Sequence, residues 1–348
     1  MIDMKSWTIE EIRTFLSEHG EKPFHAAQIF TWLHARRVTA FDEMTDLSKG
    51  LRELLNREAE LTKLSVADRL SSADGTNKFL FRLSDDQVIE SVLMKYHHGN
   101  SVCISSQCGC RMGCRFCAST LGGLVRNLTP SEMLEQVYEV ERISGEPVSN
   151  IVVMGTGEPM DNYDNLVRFI RLVCAKEGKN LSVRNITVST CGIIEGIRRL
   201  AEEGLPLTLA LSLHAPNDTT RRQLMPVANR YELSQVLKAC DWYYEKTSRR
   251  ITYEYSLVDG VNDMPECARE LGSLLKGKNC HVNLIPVNPI RERDYRKSKA
   301  EKVQNFKNIL EKYRINVTIR REMGSDINAA CGQLRRSYAL EFGHREEE

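Results

Sequence analysis

From residue 102 to residue 321 the chain alternates between short apolar segments and longer amphipathic segments. The short segments predict strands at 102–105, 150–154, 185–190, 207–213, 251–257, 281–287 and 316–321. The longer segments predict helices at 130–143, 163–176, 193–203, 233–247, 265–276 and 299–313. A crossover helix lets two neighbouring strands run in the same direction, so repeated strand–helix units build a parallel sheet. We therefore expect an α/β fold, and the six units favour an open or partial (β/α)6 barrel.

Two regions of different character precede this repeat. Residues 1–64 predict three short amphipathic helices: one begins after Thr8, which fits a capping box with Glu11, and the others cover 26–35 and 48–57. Residues 65–100 predict strands, at 78–83 and 88–96. We expect an N-terminal helical accessory domain over 1–64, a β extension over 65–100, and the barrel with a C-terminal segment over 101–340.

The composition indicates a folded protein in a reducing compartment. With 348 residues, of which 41% are hydrophobic, the chain can bury a full core, and no apolar run is long enough to cross a membrane. The first residues lack the apolar segment of a secretory signal. The 11 cysteines are an odd number, which argues against a framework of paired disulfides. We therefore expect a cytoplasmic location, no membrane association, and cysteines that serve metal binding or catalysis.

A nearly neutral total charge hides one basic stretch. The net charge is +1, but residues 291–321 contain 11 basic and 4 acidic residues, which makes this stretch +7 and the remainder −6. Residues 1–60 are net negative, with 8 basic and 11 acidic side chains. The basic stretch fits either a solvated helix face with a loop or a surface that contacts phosphates.

Cys110, Cys114 and Cys117 form the most informative motif, a C-x3-C-x2-C spacing directly after a predicted strand. Three thiolates at this spacing can hold one inorganic centre from a single loop. A structural zinc site normally has four ligands, and no second pair of cysteines or histidines follows this one. A four-iron cluster normally takes four cysteines, so three would leave one iron open to a substrate. A zinc site and three unrelated buried cysteines are the alternatives.

The cysteine spacing, with Phe116 before the last cysteine, resembles the signature of radical S-adenosylmethionine (SAM) enzymes. Further motifs narrow the resemblance to the RlmN/Cfr family of RNA adenine methyltransferases. These motifs are Ser105–Gln107, Met154–Pro159, Ser212–His214, Leu284–Pro289 and Ala330–Gln333. They occur in the family's order along almost the whole chain.

The resemblance implies a [4Fe-4S] cluster and SAM as cofactors. Cys110, Cys114 and Cys117 would be the cluster ligands, and Gly157 with Glu158 would hold the methionine part of SAM. The remaining SAM contacts implied by the family are Ser189, Ser212, Leu213, His214 and Asn288. Most of them follow the ends of predicted strands, where parallel α/β folds bind ligands. Without the resemblance, the glycine-rich segment could be a plain turn and the histidine a structural one.

The resemblance also implies a catalytic pair of cysteines. Cys331 would carry a methyl group taken from one SAM, and a radical derived from a second SAM would activate that group to add to adenine. Cys103 would then attack the sulfur of Cys331 and release the methylated base, leaving a transient disulfide. Glu90 lies inside an apolar strand and matches the family's proton acceptor. From the residues alone, both cysteines could be buried free thiols and Glu90 could face solvent.

The implied activity is methylation of C2 of an adenosine in the peptidyl transferase region of 23S rRNA, with two SAM per turnover. The tRNA adenosine beside the anticodon would be a second substrate. The family also implies a flavodoxin-type electron donor, and we expect a monomer. Two alternatives remain: Cfr-type methylation of C8 of the same ribosomal adenosine, and a non-enzymatic iron–sulfur or zinc RNA-binding protein. Cys108 departs from the family pattern, and we expect it to have no role because C-x-C does not fit the ligand spacing.

Overall fold

The computed structural model describes residues 1–97, 99–290, 292–321 and 323–327. Its N-terminal region contains three short α-helices and two very short strands that pair in parallel. These elements are β1 (Ile2–Asp3), α1 (Ile9–Glu18), α2 (His25–His34), α3 (Lys49–Glu58) and β2 (Ala59–Glu60). One-turn 3-10 helices lie at Met4–Ser6 and Phe41–Glu43. The three predicted helices are confirmed, with boundaries that agree to about one residue.

The start of α1 shows why its boundary could be predicted. The Glu11 N–H donates to Thr8 Oγ1 (3.3 Å), and the Thr8 N–H donates to the Glu11 carboxylate (2.7 Å). These two bonds satisfy N–H groups that the first turn of a helix leaves without an intrahelical partner. The predicted capping box is therefore confirmed.

The β extension is an antiparallel meander along one edge of the main sheet. Its strands are β3 (Ser65–Ser71), β4 (Asn77–Arg82) and β5 (Val88–Tyr96). β5 pairs antiparallel with β6 (Gly99–Ile104), the first strand of the parallel region. Val92 lies opposite Lys78 on one side and opposite Cys103 on the other. Residues directly opposite each other in paired strands share a face, so Lys78 and Cys103 point to the same face as Val92. Glu90 lies two residues before Val92 in β5 and therefore points to this face as well.

The remaining elements alternate as the sequence predicts. The strands are β7 (Gln107–Gly109), β8 (Leu124–Asn127), β9 (Val148–Val153), β10 (Ile186–Thr190), β11 (Thr208–Ser212), β12 (Ile251–Leu257), β13 (Cys280–Pro286) and β14 (Asn316–Ile319). The helices are α4 (Pro130–Ser144), α5 (Tyr163–Cys174), α6 (Ile194–Glu202), α7 (Asp218–Leu224), α8 (Leu233–Thr247), α9 (Pro265–Leu275) and α10 (Ala300–Lys312). One-turn 3-10 helices lie at Ala118–Thr120, Pro159–Asn162, Val183–Asn185, Pro226–Asn229 and Ser325–Ile327.

The main sheet has the order β14-β13-β12-β11-β10-β9-β6-β5-β4-β3. From β6 to β14 all neighbours are parallel and follow one another in chain order, apart from the separate ribbon of β7 and β8. Six strand–helix units and a final strand therefore curve into an open sheet, and the predicted α/β fold with a partial (β/α)6 barrel is confirmed. The ribbon and helix α7 were not predicted from the sequence.

Alternating residues of the parallel strands separate the core from the site. In β12, Tyr253 and Tyr255 are buried in the main hydrophobic core, whereas Glu254 and Ser256 line a cavity on the opposite face. Apolar side chains of α1, α2 and α3 belong to the same core as the barrel helices. None of the described helices is both long and apolar enough to cross a membrane.

A buried ion pair fastens the N-terminal region to the barrel. Lys5 Nζ lies 2.6 Å from Glu135 Oε1 in α4, and their side chains are 0% and 1% exposed. The same ammonium group donates to the Thr62 carbonyl (3.2 Å). Burial raises the pKa of Glu135, although Lys5 lowers it. Both charged groups are out of contact with water. Removing either residue would therefore leave the charge of the other buried and uncompensated.

We expect Lys5→Met to lower the free energy of unfolding by about 3–5 kcal/mol, because it leaves the Glu135 carboxylate buried without its counter-charge. The double variant Lys5→Met/Glu135→Leu should recover most of this loss, since the uncompensated charge is then also absent. Urea unfolding followed by circular dichroism measures both values. Equal stability of Lys5→Met and the wild type would show that the pair does not hold the two regions together.

Candidate active site

A cavity of about 470 Å³ lies at the carboxyl ends of the parallel strands and extends onto β5. Its lining includes most of the residues predicted from the sequence. These are Glu90, Cys103, Cys110, Cys114, Cys117, Gly157, Glu158, Ser189, Ser212, His214 and Asn288. The side chain of Leu213 is instead fully buried in the main core. Cys331 lies outside the described residues.

A short antiparallel ribbon closes the base of the cysteine loop. β7 pairs with β8, and the Cys110 N–H donates to the Gly123 carbonyl (2.8 Å). Gly109 has a φ of +80°, and a Cβ at this position would lie 2.0 Å from the Gly123 oxygen. Only glycine therefore permits the ribbon to close directly before the first cysteine.

Of the three thiols of the loop, those of Cys110 and Cys114 are buried and that of Cys117 is partly buried. Burial raises the pKa of Cys114, and the charges of Cys117 and Cys110 raise it further. No three His, Cys, Asp or Glu side chains of the described chain are placed to hold one metal ion. A cluster of several irons needs no such convergence on a single point, because it is larger than one ion. Three thiolates in one loop are soft ligands of the kind that iron–sulfur clusters take, so the residues fit such a group.

The glycines after β9 allow its loop to approach the start of the cysteine segment. A Cβ on Gly155 would lie 2.7 Å from the Ile104 carbonyl oxygen. Gly157 has a φ of +111°, and a Cβ there would lie 2.6 Å from the Gln107 Cβ and 2.7 Å from the Ser106 Oγ. Both positions therefore exclude a side chain, and the backbone itself forms this wall of the cavity.

Gly157→Ala is expected to reduce the free energy of unfolding by about 1–3 kcal/mol, since the backbone is in a region that L-residues avoid. Gly50→Ala is the matched control, because a Cβ at Gly50 meets no atom within 4 Å. Chemical denaturation of both variants measures the difference. The proposed steric constraint is wrong if the two substitutions have the same effect.

Glu158 presents a buried carboxylate that backbone N–H groups hold in place. Its Oε2 accepts from the Cys191 N–H (2.8 Å) and its Oε1 from the Met160 N–H (3.1 Å). Burial raises the pKa of Glu158, whereas the hydrogen bond from Cys191 lowers it. The bonds join the loops after β9 and β10, and they orient a carboxylate that can receive a cationic group of a ligand.

His214 is held as a neutral imidazole beside the cysteine loop. Its Nδ1 accepts from the Ser256 N–H (2.9 Å), so the proton resides on Nε2. Burial lowers the pKa of His214 to about 3, and the Arg221 cation lowers it as well. Phe116 packs edge-on against the ring, with 4.7 Å between centroids. The His214 ring therefore stays uncharged at neutral pH and links β11 to the cysteine loop.

Glu90 and Cys103 lie on the wall formed by β5 and β6. Glu90 does not face solvent: its side chain is 2% exposed, and its Oε2 lies 3.3 Å from the fully buried Lys78 Nζ. Burial raises the pKa of Cys103 to about 11, while Arg320 and a hydrogen bond from the Met154 backbone lower it. The structure thus brings a carboxylate, an ammonium group and a thiol together near one end of the cavity.

Sequence reasoning missed three ionisable groups of this region. Glu254 interrupts an apolar strand as Glu90 does, so the same criterion would have found it. Burial raises the pKa of Glu254 to about 7, while Arg320 lowers it. Lys78 and Arg320 left no such signal, because their positions relative to Glu90 and Cys103 depend on strand pairing across the sheet.

The basic stretch at 291–321 divides between internal ion pairs, the cavity and solvent. Lys302 Nζ lies 2.7 Å from Asp259 Oδ1 and 3.3 Å from Asp263 Oδ2. Arg320 and Arg321 line the cavity, and Arg291 lies outside the described residues. Several further basic side chains are exposed, so the charge excess is only partly neutralised within the described chain.

Comparisons with known proteins agree with this geometry. A family model described as "Ribosomal RNA large subunit methyltransferase N-terminal domain" matches residues 2–61, and the "Radical SAM superfamily" model matches residues 104–271. A protein of Lachnoclostridium phytofermentans named "Probable dual-specificity RNA methyltransferase RlmN" is 68% identical, with 97% of this chain and 95% of the relative covered. A protein of the same name from Clostridium perfringens is 52% identical, with 99% of both chains covered. The crystal structure of a radical SAM methyltransferase from Sphaerobacter thermophilus superimposes with a TM-score of 0.91 at 43% identity, covering 96% of this chain and 99% of that one.

Proposed function

The chain belongs to the RlmN family of radical SAM RNA methyltransferases, and we propose that it methylates C2 of an adenosine in 23S rRNA and in tRNA. One observation supports this proposal above the others: the three loop cysteines, Cys103 and Glu90 line a single cavity. A non-enzymatic RNA-binding protein would have no use for a free thiol in the same cavity as the cysteine loop.

The residues present fit the family's [4Fe-4S] cluster and SAM. Cys110, Cys114 and Cys117 would hold the cluster, and the Glu158 carboxylate would receive the ammonium group of SAM. The other proposed SAM contacts are Gly157, Ser189, Ser212, Leu213, His214 and Asn288. Leu213 could contribute only through its backbone, because its side chain is in the core. When bound, these groups supply the methyl group and the radical that activates it.

The two proposed catalytic cysteines, Cys331 and Cys103, would have different roles in covalent catalysis. Cys331 carries the one-carbon unit and, after this unit has bonded to C2, tethers the enzyme to RNA. The Cys103 thiolate attacks the Cys331 sulfur and forms a disulfide, while the Cys331 sulfur–carbon bond breaks. The electron pair of that bond stays on the carbon, which takes up a proton and becomes the methyl group. The Cys103 thiolate and the Cys331 thioether are oxidised to the disulfide, and the carbon is reduced by the same two electrons, so the electrons balance.

Glu90 is proposed to accept the proton lost from C2. Its carboxylate lines the cavity and is 2% exposed. The Lys78 ammonium group lies 3.3 Å from Glu90 Oε2 and would hold this carboxylate in place beside the reacting base.

RNA would approach over the exposed part of the basic stretch. Arg293, Arg296 and Lys299 are exposed and follow Val287–Ile290, which lines the cavity. Basic side chains beside the cavity can contact phosphates that flank the reacting base. We also propose that 1–64 and 65–100 are accessory to a barrel domain over 101–340, and that the enzyme is a cytoplasmic monomer reduced by a flavodoxin-type donor.

The proposal is tested by mass mapping of methylated adenosine in 23S rRNA and tRNA from cells with and without the gene. We expect 2-methyladenosine in both RNAs only when the gene is present. Appearance of 8-methyladenosine would replace the assignment with Cfr-type chemistry. Identical RNA from both cells would contradict the methyltransferase function altogether.

A further inference from the structure

We infer that Arg320 is a positioning residue for the proposed reaction, whose guanidinium group stabilises the Cys103 thiolate and so sets the rate at which the RNA–enzyme bond is resolved. This inference rests on the proposed function, because it takes Cys103 to be the resolving thiol.

The strand pairing directs Arg320 into the cavity. Its backbone N–H donates to the Leu284 carbonyl (2.8 Å), which extends the pairing of β13 and β14 by one residue beyond Ile319. Thr318, two residues earlier, donates to Asn283 Oδ1 (2.8 Å), and Asn283 in turn donates to Glu254 Oε2 (3.2 Å). Glu254 lines the cavity, and so does Arg320. The alternation of the strand therefore places the guanidinium group on the same inner face as Cys103.

The other lining carboxylates already have fixed partners. Lys78 compensates Glu90 at 3.3 Å, and two backbone N–H groups hold Glu158. Glu254 accepts hydrogen bonds from Asn283. Within the ranges that the structure describes, the Arg320 guanidinium group donates no hydrogen bond and forms no ion pair. The exposed Arg320 side chain lines the cavity, so its positive charge acts on both Cys103 and Glu254 there.

The charges that face Cys103 come from both sides of the cavity. Burial raises the pKa of Cys103 most strongly, and Glu90 raises it further. Arg320 lowers this pKa, followed by the Met154 backbone hydrogen bond and Lys78. Since only the thiolate attacks sulfur, a partly buried thiol with a pKa of about 11 depends on every nearby cation at neutral pH. Glu254 competes for the same guanidinium group, because Arg320 also lowers the pKa of Glu254.

The test compares holoenzymes carrying Arg320→Met, Arg320→Lys and the control Lys276→Met, which removes an exposed cation just after α9. Two quantities are measured. The first is the rate of iodoacetamide alkylation of the Cys103 peptide at several pH values, read by mass spectrometry under anaerobic conditions. The second is the lifetime of the covalent protein–RNA species during turnover.

We expect Arg320→Met to slow alkylation of Cys103 by about tenfold near neutral pH and to lengthen the lifetime of the covalent species similarly. Arg320→Lys should restore most of both rates, and Lys276→Met should change neither. Glu254→Gln is expected to have the opposite effect on alkylation. It removes the carboxylate that competes for the Arg320 guanidinium group, so alkylation of Cys103 should become faster. General misfolding could not slow one variant and accelerate the other.

An unchanged alkylation profile in Arg320→Met would overturn the inference, as would equal slowing in Arg320→Met and Arg320→Lys. The alkylation measurement needs no turnover, so it also separates this inference from the proposed function. If Cys103→Ala fails to accumulate a covalent species, the resolving role that the proposed function gives to Cys103 is wrong. If Cys103→Ala accumulates it and Arg320→Met does not prolong it, only the role of Arg320 is wrong.

Discussion

Cys103→Ala is expected to stop the reaction at a covalent protein–RNA species and to abolish release of methylated RNA. In the proposed reaction, the sulfur–carbon bond to Cys331 breaks only when another thiolate attacks the sulfur. Cys103 lines the cavity with Glu90 and the loop cysteines, so an alanine there removes the attacking atom without blocking the earlier steps. Denaturing gel electrophoresis with labelled RNA measures the trapped species.

Two controls identify the bond that is trapped. Cys103→Ala/Cys331→Ala should give no covalent species, because the tether itself is absent. Cys240→Ala removes a thiol that is fully buried in the main core, away from the cavity, and should turn over without trapping RNA. If Cys103→Ala released methylated RNA at the wild-type rate, Cys103 could not be the resolving thiol.

The second large effect is expected for the cysteine loop. Cys114→Ala should lose most of its bound iron and all methyl transfer, because the loop then supplies two thiolates in place of three. Cys108→Ala is the matched control, six residues earlier on β7. Cys108 is fully buried in the main core and not among the described residues that line the cavity. It should retain iron and activity.

Iron content and the visible absorption of the reconstituted proteins measure this difference. The comparison also tests the expectation that Cys108 has no role, which rests on sequence spacing. Loss of iron from Cys108→Ala with retention in Cys114→Ala would reverse the ligand assignment. A colourless protein that binds zinc through the same cysteines would contradict the iron–sulfur proposal itself.

The sequence was sufficient for the order and type of most elements, because their periodicity is strong. Helix α8 was predicted with the bounds that the structure has, Leu233–Thr247. Helix α7 (Asp218–Leu224) was missed, since it is only two turns long and contains two adjacent threonines, which form helices weakly. Its N-cap was the one available signal: Asn217 Oδ1 accepts from the Thr220 N–H (2.9 Å).

The ribbon of β7 and β8 could not be predicted for a different reason. Its strands have three and four residues, too few for a periodic pattern. Glycine at 109 is required by its contact with Gly123, which lies 14 residues further along the chain. The pairing of two such short strands can be recognised only from their positions in the folded structure.

The composition of the cavity was predicted from motifs, whereas its electrostatics was not. The sequence left open whether Glu90 faces solvent, and the structure buries it beside Lys78. That pairing depends on the register between β4 and β5, which single-sequence patterns do not specify. The same holds for Arg320, which is 217 residues from Cys103 in the chain and lines the same cavity only because the open barrel folds around it.

The central claim is that the methyl group reaches C2 of adenosine through Cys331 and not directly from SAM. An anaerobic assay with SAM carrying a CD3 group, on a defined 23S rRNA fragment in ordinary water, tests it most directly. One deuterium should be lost when the carbon on Cys331 is activated, and a solvent proton should be taken up when the sulfur–carbon bond breaks. The account predicts 2-methyladenosine with two deuterium atoms in its methyl group. A product that retains all three, or one methylated at C8, would contradict it.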